Sequence, residues 1–207
     1  MGRYSTEPQI IQNQQQIPIS NWPVEFPKPV VGLDLHGTII EFNANINDPS
    51  QVVPIPGALE AIKLLRIKGH KVFILADYPG ISAKKLTQMD VESIHMRLFE
   101  LLGQSGCMSL DGLLYNTSAK KNDIFAKPNT GMMKRSTSQF NMNWKEGWYV
   151  GDDIDDLKMA EKGGSKPILV MTGKGNQTLK KLNLFTNKEL KKKVEIFPDL
   201  LSFAQSL

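Results

Sequence analysis

Acidic side chains follow apolar runs at three separate places in the chain, namely at Asp34, at Asp77 and in the cluster 152–156. A short apolar run bounded by turn residues is typical of a buried strand. In open α/β sheets, ligands bind beside the carboxyl ends of the strands. We therefore expect these carboxylates to share one edge of a sheet with Lys127, which begins a helix after another predicted strand. Taken alone, the Asp34 segment could equally be an edge strand that ends in a turn.

The chemistry of this set of residues is that of a bound cation and a phosphoryl group. Carboxylates that face one another repel unless a positive charge lies between them. Ligands that are all oxygens favour Mg²⁺, which binds one or two carboxylates together with phosphate oxygens of a substrate. A lysine opposite the metal would help to stabilise the charge of a phosphoryl group in the transition state. An aspartate can also attack phosphorus and form an aspartyl-phosphate that water then hydrolyses.

The elements that must position these side chains alternate between strands and helices. Apolar runs predict six strands, at 30–34, 71–75, 113–115, 148–150, 167–171 and 194–197. Apolar residues at helical spacing predict helices at 57–69, 82–103, 131–140 and 157–162, and a short final helix. Alternation of this kind without hairpin signals predicts an α/β fold, a Rossmann-like three-layer sandwich with a mainly parallel sheet. The connections leave no room for a large cap domain.

Composition limits the classes of protein that the chain can represent. A length of 207 residues suits one domain with a short appendage. The formal net charge of +4 permits a polyanionic partner without requiring one, and we expect no nucleic acid. The single cysteine, Cys107, excludes an intrachain disulfide and a cysteine-rich metal site. No apolar run approaches about 18 residues and no signal-peptide core is visible. We therefore expect no membrane span and a cytoplasmic location.

The N-terminal segment differs in kind from the rest of the chain. A polar tract occupies 12–16 and prolines recur around it, which predicts an extended or disordered arm over residues 1–28. The α/β domain would then occupy 29–207. Trp22 and Phe26 could attach the arm to its own domain or to a protein partner, and we favour its own domain.

A set of motifs in a fixed order carries a resemblance to a known family. The set comprises Asp34-x-x-Gly-Thr, the turn at 76–80, Lys127-Pro, Gly151-Asp152-x-x-x-Asp156 and Thr172-Gly-Lys-Gly. It resembles the haloacid dehalogenase-like (HAD) superfamily phosphatases over roughly residues 30 to 183. The similarity is greatest to their capless branch, which contains the heptose bisphosphate and histidinol phosphatases.

The resemblance implies roles for individual residues. Asp34 would be the nucleophile and a Mg²⁺ ligand. His36 would give the metal its backbone carbonyl, and its side chain would be the general acid and base. Lys127 would hold the transferring phosphoryl group and steady Asp34. Asp152 would be the second metal carboxylate, supported by Asp153 or Asp156.

The resemblance also implies that Ala76, Asp77 and Lys127 would line the phosphoryl group. Several positions of the site depart from the family pattern. His36 replaces an aspartate, Ala76 replaces a Thr or Ser donor, and Asp77 replaces an asparagine. Ala126 replaces an arginine, and 115–126 lacks the Cys/His zinc loop of the branch.

These departures place catalytic competence in question. A general acid contributes about 10²–10⁴-fold and one donor to a developing oxyanion about 10²–10³-fold. If they were independent, the losses at His36 and Ala76 would together cost on the order of 10⁴–10⁷-fold. His36 could restore part of this loss, since imidazole acts as an acid and base near neutral pH. A packed histidine at a decayed site is the equal alternative.

The other site residues could also have purely structural roles. Asp152 and Asp156 could serve only the dipole at a helix N-terminus. Lys127 could be a surface lysine. We favour the functional interpretation for all three because they occur together in the family order.

Three functions follow as hypotheses. The first is a Mg²⁺-dependent hydrolase of phosphoric monoesters that acts on a small phosphorylated sugar or metabolite through an aspartyl-phosphate. The second is a catalytically impaired protein of the same fold that serves as a binding or assembly subunit. The third is a polynucleotide 3′-phosphatase, for which an open site and the basic charge leave room.

Overall fold

The structure is a computed structural model, and it describes residues 9–11, 28–43, 46–107 and 109–207. Its strands form one seven-stranded sheet in the order β1-β4-β3-β2-β5-β6-β7. They are β1 (Gln9–Ile11), β2 (Lys28–Leu33), β3 (His70–Asp77), β4 (Gly112–Asn116), β5 (Trp148–Gly151), β6 (Lys166–Val170) and β7 (Glu195–Phe197). β1 runs antiparallel to β4, and all other neighbours are parallel. The predicted α/β architecture with a mainly parallel sheet is confirmed.

Helices cover both faces of the sheet. The α-helices are α1 (Ala58–Ile67), α2 (Gln88–Gln104), α3 (Gly131–Phe140), α4 (Ile154–Gly163), α5 (Gly175–Leu182), α6 (Lys188–Lys191) and α7 (Leu200–Ser206). Short 3₁₀ helices occupy Pro49–Gln51 and Phe185–Asn187. The longest connections carry α2 and α3 and form no second sheet among the described residues, in keeping with the predicted lack of a large cap. None of the helices described is long and apolar enough to cross a membrane.

Alternation along β3 shows how the core is divided between the two faces. Val72 and Ile74 pack in a large cluster with α1, α2 and α7, whereas Phe73 and Leu75 pack in a second cluster with α3 and α4. All four residues are fully buried. Successive side chains of a strand point to opposite faces, so a continuous apolar run is what a strand covered on both faces requires. The three-layer sandwich follows from this pattern.

Helix α2 begins six residues later than predicted, and α5 and α6 were not predicted. Thr87 precedes α2 as its N-cap: its Oγ1 accepts from Asp90 N–H at 3.1 Å, and Asp90 Oδ2 accepts from Thr87 N–H at 2.8 Å. This reciprocal capping box satisfies two backbone donors at the first turn of a helix. Residues 78–86 form turns instead.

Part of the predicted arm lies within the described chain. Residues 9–11 form the edge strand β1, which pairs with β4, and Lys28 is the first residue of β2. Trp22 and Phe26, the predicted attachment points, lie outside the described residues. The division of the chain at residue 28 stays a prediction.

Candidate active site

The predicted edge of the sheet lies where the strand order changes direction. β2 pairs with β3 on one side and with β5 on the other. The chain first adds β3 and β4 on one side of β2 and then adds β5, β6 and β7 on the other side. Asp34 directly follows β2, and its N–H donates to Val150 O at 2.9 Å. Asp152 directly follows β5. Ligands of open α/β sheets bind at such a switch point, and these two aspartates stand on it.

Three buried carboxylates converge there. Oxygens of Asp34, Asp152 and Asp156 lie within 4.8 Å of one another, and these residues are only 7%, 2% and 2% exposed. Asp156 is the third residue of α4, and its Oδ2 accepts from Asp153 N–H at 3.1 Å. Asp156 therefore serves the helix N-terminus and the carboxylate group at the same time.

Lys127 supplies a positive charge to this group from within the protein. Its Nζ lies 2.5 Å from Asp34 Oδ1 and 2.8 Å from Asp156 Oδ1, and its side chain is 7% exposed. Burial opposes the charge, but Asp156 and Asp34 outweigh it and hold the pKa of Lys127 well above its ordinary value. Lys127 is therefore a buried cation shared by two carboxylates, which excludes the surface alternative.

Burial raises the pKa of all three carboxyl groups above the ordinary value of 3.8. The pKa of Asp34 rises to about 6, although Lys127 opposes the rise. The pKa of Asp156 rises to about 7, again against Lys127. The pKa of Asp152 rises to about 7, and the neighbouring Asp156 adds to the effect of burial. Without a further cation the group therefore binds protons close to neutral pH.

Glycines bring the backbone close to Asp152. A Cβ on Gly37 (φ 88°) or on Gly173 (φ 52°) would overlap Asp152 Oδ2. The same oxygen accepts from Lys174 N–H at 2.7 Å, and Thr172 Oγ1 donates to Gly37 O at 2.6 Å. Glycine alone among the amino acids suits both the positive φ and the close approach. The two loops therefore form a close-fitting cradle around this carboxylate.

Asp153 lies beside the group with its carboxylate turned to the rim. Its Oδ2 accepts from Lys174 Nζ at 2.9 Å, and its Oδ1 lies 3.8 Å from Lys181 Nζ. The sequence left Asp153 and Asp156 as alternatives in support of Asp152, and the structure brings Asp156 into the buried group. A metal-ligand role for Asp153 stays a prediction.

The structure places Asp77 behind Lys127. Asp77 Oδ1 accepts from Asn116 Nδ2 at 2.7 Å, and Asp77 Oδ2 accepts from Lys127 N–H at 3.3 Å. Both oxygens of this partly buried carboxylate thus hold neighbouring protein segments. The preceding Ala76 is fully buried and brings no polar group to the strand end. Substrate-binding roles for Ala76 and Asp77 stay predictions.

His36 follows Asp34 by two residues and packs against Tyr78, with ring centroids 5.1 Å apart and an interplanar angle of 81°. Its Nδ1 is buried and has no hydrogen-bond partner among the residues that the structure describes. Burial lowers the pKa of His36 to about 4, and Lys127 and Lys174 add to the shift. The imidazole is therefore neutral near pH 7 in the metal-free protein.

The donor set fits Mg²⁺. Its side-chain ligands would be the three carboxylates of Asp34, Asp152 and Asp156, all oxygens, and hard divalent cations prefer oxygen ligands. Burial raises the pKa values of all three even with Lys127 in contact, so a bound cation would favour their charged forms. A backbone carbonyl at His36 and the carboxylate of Asp153 remain predicted additions to this set.

Sequence reasoning did not single out Lys174 as a site residue. Its ammonium group stands 4.5 Å from the ring centroid of Phe42, besides its contact with Asp153. Asp153, Asp152 and Asp34 all contribute to a raised pKa of Lys174, which places its charge at the rim of the site. The signal was present in the Thr172-Gly-Lys-Gly motif, which was used only for the resemblance.

A parallel sheet with an aspartate after one central strand, an acidic helix start after its neighbour and a buried lysine between them defines a HAD-like hydrolase. A family model described as HAD-hydrolase-like matches residues 124–200. The chain is 32% identical over 155 residues to the D-glycero-β-D-manno-heptose-1,7-bisphosphate 7-phosphatase of Neisseria meningitidis serogroup A, covering 74% of this chain and 80% of the relative.

Two further comparisons agree. The enzyme of the same name from Pseudomonas aeruginosa is 31% identical over 178 residues, covering 84% of this chain and 95% of the relative. The structure of D,D-heptose 1,7-bisphosphate phosphatase from B. bronchiseptica has the same fold, with a TM-score of 0.78, 23% identity and coverage of 86% of this chain and 97% of that one. The chain therefore belongs to the HAD-like family that contains these phosphatases, which confirms the resemblance.

Proposed function

We propose that the protein is a Mg²⁺-dependent phosphomonoesterase that acts on a small phosphorylated sugar. One observation carries the proposal: three buried carboxylates and one buried lysine meet at the switch point of the sheet. A group with this charge pattern suits a divalent cation and a phosphoryl group together. Membership of a family of phosphatases supports the same conclusion.

Asp34 is the nucleophile in this proposal. One of its carboxylate oxygens forms a bond to phosphorus while the bond from phosphorus to the sugar oxygen breaks. Water then attacks phosphorus in the aspartyl-phosphate, which releases inorganic phosphate and restores Asp34. Lys127 orients the carboxylate through its contact with Oδ1 and offers positive charge to the phosphoryl oxygens.

Mg²⁺ would be held by Asp34, Asp152 and Asp156, and it would neutralise charge on the phosphoryl oxygens as a Lewis acid. The neighbouring structure from B. bronchiseptica is a complex with magnesium and phosphate. We further propose that the sugar is a heptose bisphosphate, because the relatives named above act on D-glycero-D-manno-heptose 1,7-bisphosphate by name.

His36 favours a second candidate, a protein of this fold with impaired catalysis that serves as a binding subunit. Burial lowers the pKa of His36 to about 4, so near pH 7 the imidazole is neutral and is not the imidazolium that a general acid requires. Ala76 supplies no hydroxyl at the end of β3. In this candidate residues 1–28 would engage a protein partner, which pull-down with and without that segment would detect.

Phosphate release separates the two candidates. Purified protein is assayed with Mg²⁺ or with EDTA on heptose bisphosphate and on a panel of sugar phosphates, together with Asp34→Asn, His36→Asp and the double variant His36→Asp/Ala76→Thr. Turnover that needs Mg²⁺ and Asp34 supports the enzyme. A silent wild type whose activity the double variant restores supports the binding subunit. Equal release by wild type and Asp34→Asn would refute the proposed mechanism.

A further inference from the structure

Four aromatic side chains extend from the site into the protein, from the partly exposed His36 to the buried Tyr78, His95 and Tyr115, and we name them the aromatic cluster. Tyr78 lies edge-on to His36, with ring centroids 5.1 Å apart. His95, on α2, lies 5.4 Å from Tyr78 and 5.1 Å from Tyr115. The centroids of Tyr78 and Tyr115 are 5.8 Å apart. His36 therefore rests on a continuous set of rings that reaches β4 and α2.

The cluster contains an unusual concentration of buried polar atoms. Within the described chain, five of the buried side-chain polar atoms without a hydrogen-bond partner belong to it: His36 Nδ1, the hydroxyls of Tyr78 and Tyr115, and both ring nitrogens of His95. His95 and Tyr115 are fully buried, and Tyr78 is 3% exposed. Buried polar groups in proteins are normally hydrogen-bonded, directly or through ordered water.

The polar atoms of the cluster are chemically complementary. A neutral imidazole offers one donor and one acceptor, and a tyrosine hydroxyl offers a donor and an acceptor. Ring centroids 5.1 to 5.8 Å apart bring these four side chains into one cluster, where ordered water can bridge polar groups that make no direct hydrogen bond. Packing alone would be served better by Phe and Leu, which bury no polar atom.

The cluster also lies close to Asp34. His36 is two residues from Asp34 in the sequence, and burial together with the charge of Asp34 raises the pKa of Tyr78. Any hydrogen bond to Nδ1 of His36 determines which ring nitrogen carries the proton and how the ring is oriented.

We propose that Tyr78, His95 and Tyr115 are positioning residues for His36, which hold its imidazole in one tautomer and one orientation through a hydrogen-bonded chain that is direct or bridged by ordered water. The role in turnover rests on the proposed phosphatase function. The effect on the His36 ring does not, and this separates failure of the inference from failure of the function.

Nuclear magnetic resonance of the ring nitrogens tests the chain without substrate. The protein has three histidines, His36, His70 and His95, so a ¹⁵N spectrum of the metal-free full chain at pH 8 can be assigned by single substitutions. Tyr78→Phe and His95→Phe keep a ring and remove the polar atoms. We expect both to move the ring ¹⁵N shifts of His36 towards the average of the two tautomers.

His70→Phe is the matched control. His70 is also a buried histidine in edge contact with an aromatic ring, but it begins β3 at the opposite end of the strand from Asp77, with Nδ1 2.9 Å from Pro29 O. It should leave the His36 shifts unchanged. Unchanged His36 shifts in both Tyr78→Phe and His95→Phe would overturn the inference.

Kinetics test the consequence for turnover. Tyr78→Phe and His95→Phe should each lower kcat about 10-fold, equivalent to about 1.4 kcal/mol, with KM unchanged. In the His36→Gln background the same substitutions should leave kcat unchanged, because no imidazole remains to be positioned. His95→Gln, which keeps hydrogen-bonding groups, should recover part of the rate and guards against a variant that fails to fold. An undiminished loss in the His36→Gln background would contradict a role through His36.

Discussion

Lys127→Met should destabilise the metal-free protein strongly at pH 8 and weakly at pH 5. Methionine keeps an unbranched apolar stem up to the ε position and removes the ammonium group that lies 2.5 Å from Asp34 and 2.8 Å from Asp156. Removing one partner of a buried ion pair costs about 3–5 kcal/mol, because the other charge stays buried without compensation. For a chain of this size, a loss of about 4 kcal/mol lowers Tm by about 8–16 °C.

The pH dependence follows from the sign of the carboxyl pKa shifts. The folded-state pKa of Asp34 is about 6 and that of Asp156 about 7, both above the ordinary 3.8. Between about pH 4 and pH 7 the folded state therefore binds more protons than the unfolded state, and stability rises as the pH falls. Lys127 lowers both values, so its removal raises them further. The variant should gain more from acidification than the wild type.

Urea unfolding followed by circular dichroism, with EDTA present, measures the free energy of unfolding at both pH values. Lys174→Met is the matched control: its side chain is 34% exposed and its ion pair with Asp153 lies at the rim. Exposed pairs contribute about 0–1 kcal/mol, so we expect a small loss at both pH values. A loss below about 1 kcal/mol for Lys127→Met at pH 8, or an equal loss at pH 5 and pH 8, would refute the reasoning.

Three further predictions concern the carboxylates. Asp34→Asn should lower the rate of phosphate release by at least about 10³-fold, as loss of a nucleophile does. Asp153→Asn should lower it by less than about 10-fold, because Lys174 holds that carboxylate at the rim. Comparable losses in a phosphate-release assay would show that Asp153 acts as a metal ligand. Mg²⁺ at about 100 times its Kd should raise Tm at pH 8 by about 5–11 °C. At pH 5 the rise should be much smaller, because protons occupy the carboxylates. Thermal melts that show equal rises in Tm at both pH values would contradict the proposed site. Gly37→Ala should weaken Mg²⁺ binding at least about 10-fold, since the added Cβ would displace Asp152. Gly69 is the control: its φ is a similar 86°, but the nearest atom to an added Cβ lies 3.9 Å away, so Gly69→Ala should cost only about 1–2 kcal/mol of stability. Calorimetry with Mg²⁺ that finds equal binding by both variants would refute the cradle.

Secondary structure was largely readable from the sequence because its signals are local. The apolar run 71–75 predicted β3 (His70–Asp77), and apolar residues at helical spacing predicted α1 and α3 within a few residues. The start of α2 was missed because the capping box at Thr87 outweighed the helical pattern that begins at 82. A capping box has a sequence signature, so this signal was available.

The choice between Asp153 and Asp156 shows a limit of inference from neighbouring residues in the sequence. Both acids stand at the start of the same predicted helix, and both suit a helix N-terminus. The structure begins α4 at Ile154, which makes Asp153 the N-cap and directs Asp156 inward, 2.8 Å from Lys127. The partner that distinguishes them comes from a segment about thirty residues earlier, so nothing near residue 153 records it.

His95 illustrates the same limit. The sequence places it within the helix predicted at 82–103 and indicates only a structural or an exposed histidine. Its ring neighbours Tyr78 and Tyr115 depend on how α2 packs over β3 and β4.

The sequence by itself determined which residue types could perform the chemistry and which elements carry them, because periodicity, turn residues and motif order act over a few positions. Only the tertiary structure decided which of these residues meet. Parallel strands joined by helical crossovers bring Asp34, Lys127 and Asp156 within hydrogen-bonding distance although they lie far apart along the chain. Burial there raises carboxyl pKa values that depend on the low dielectric and on neighbouring charges, and both are properties of the assembled core.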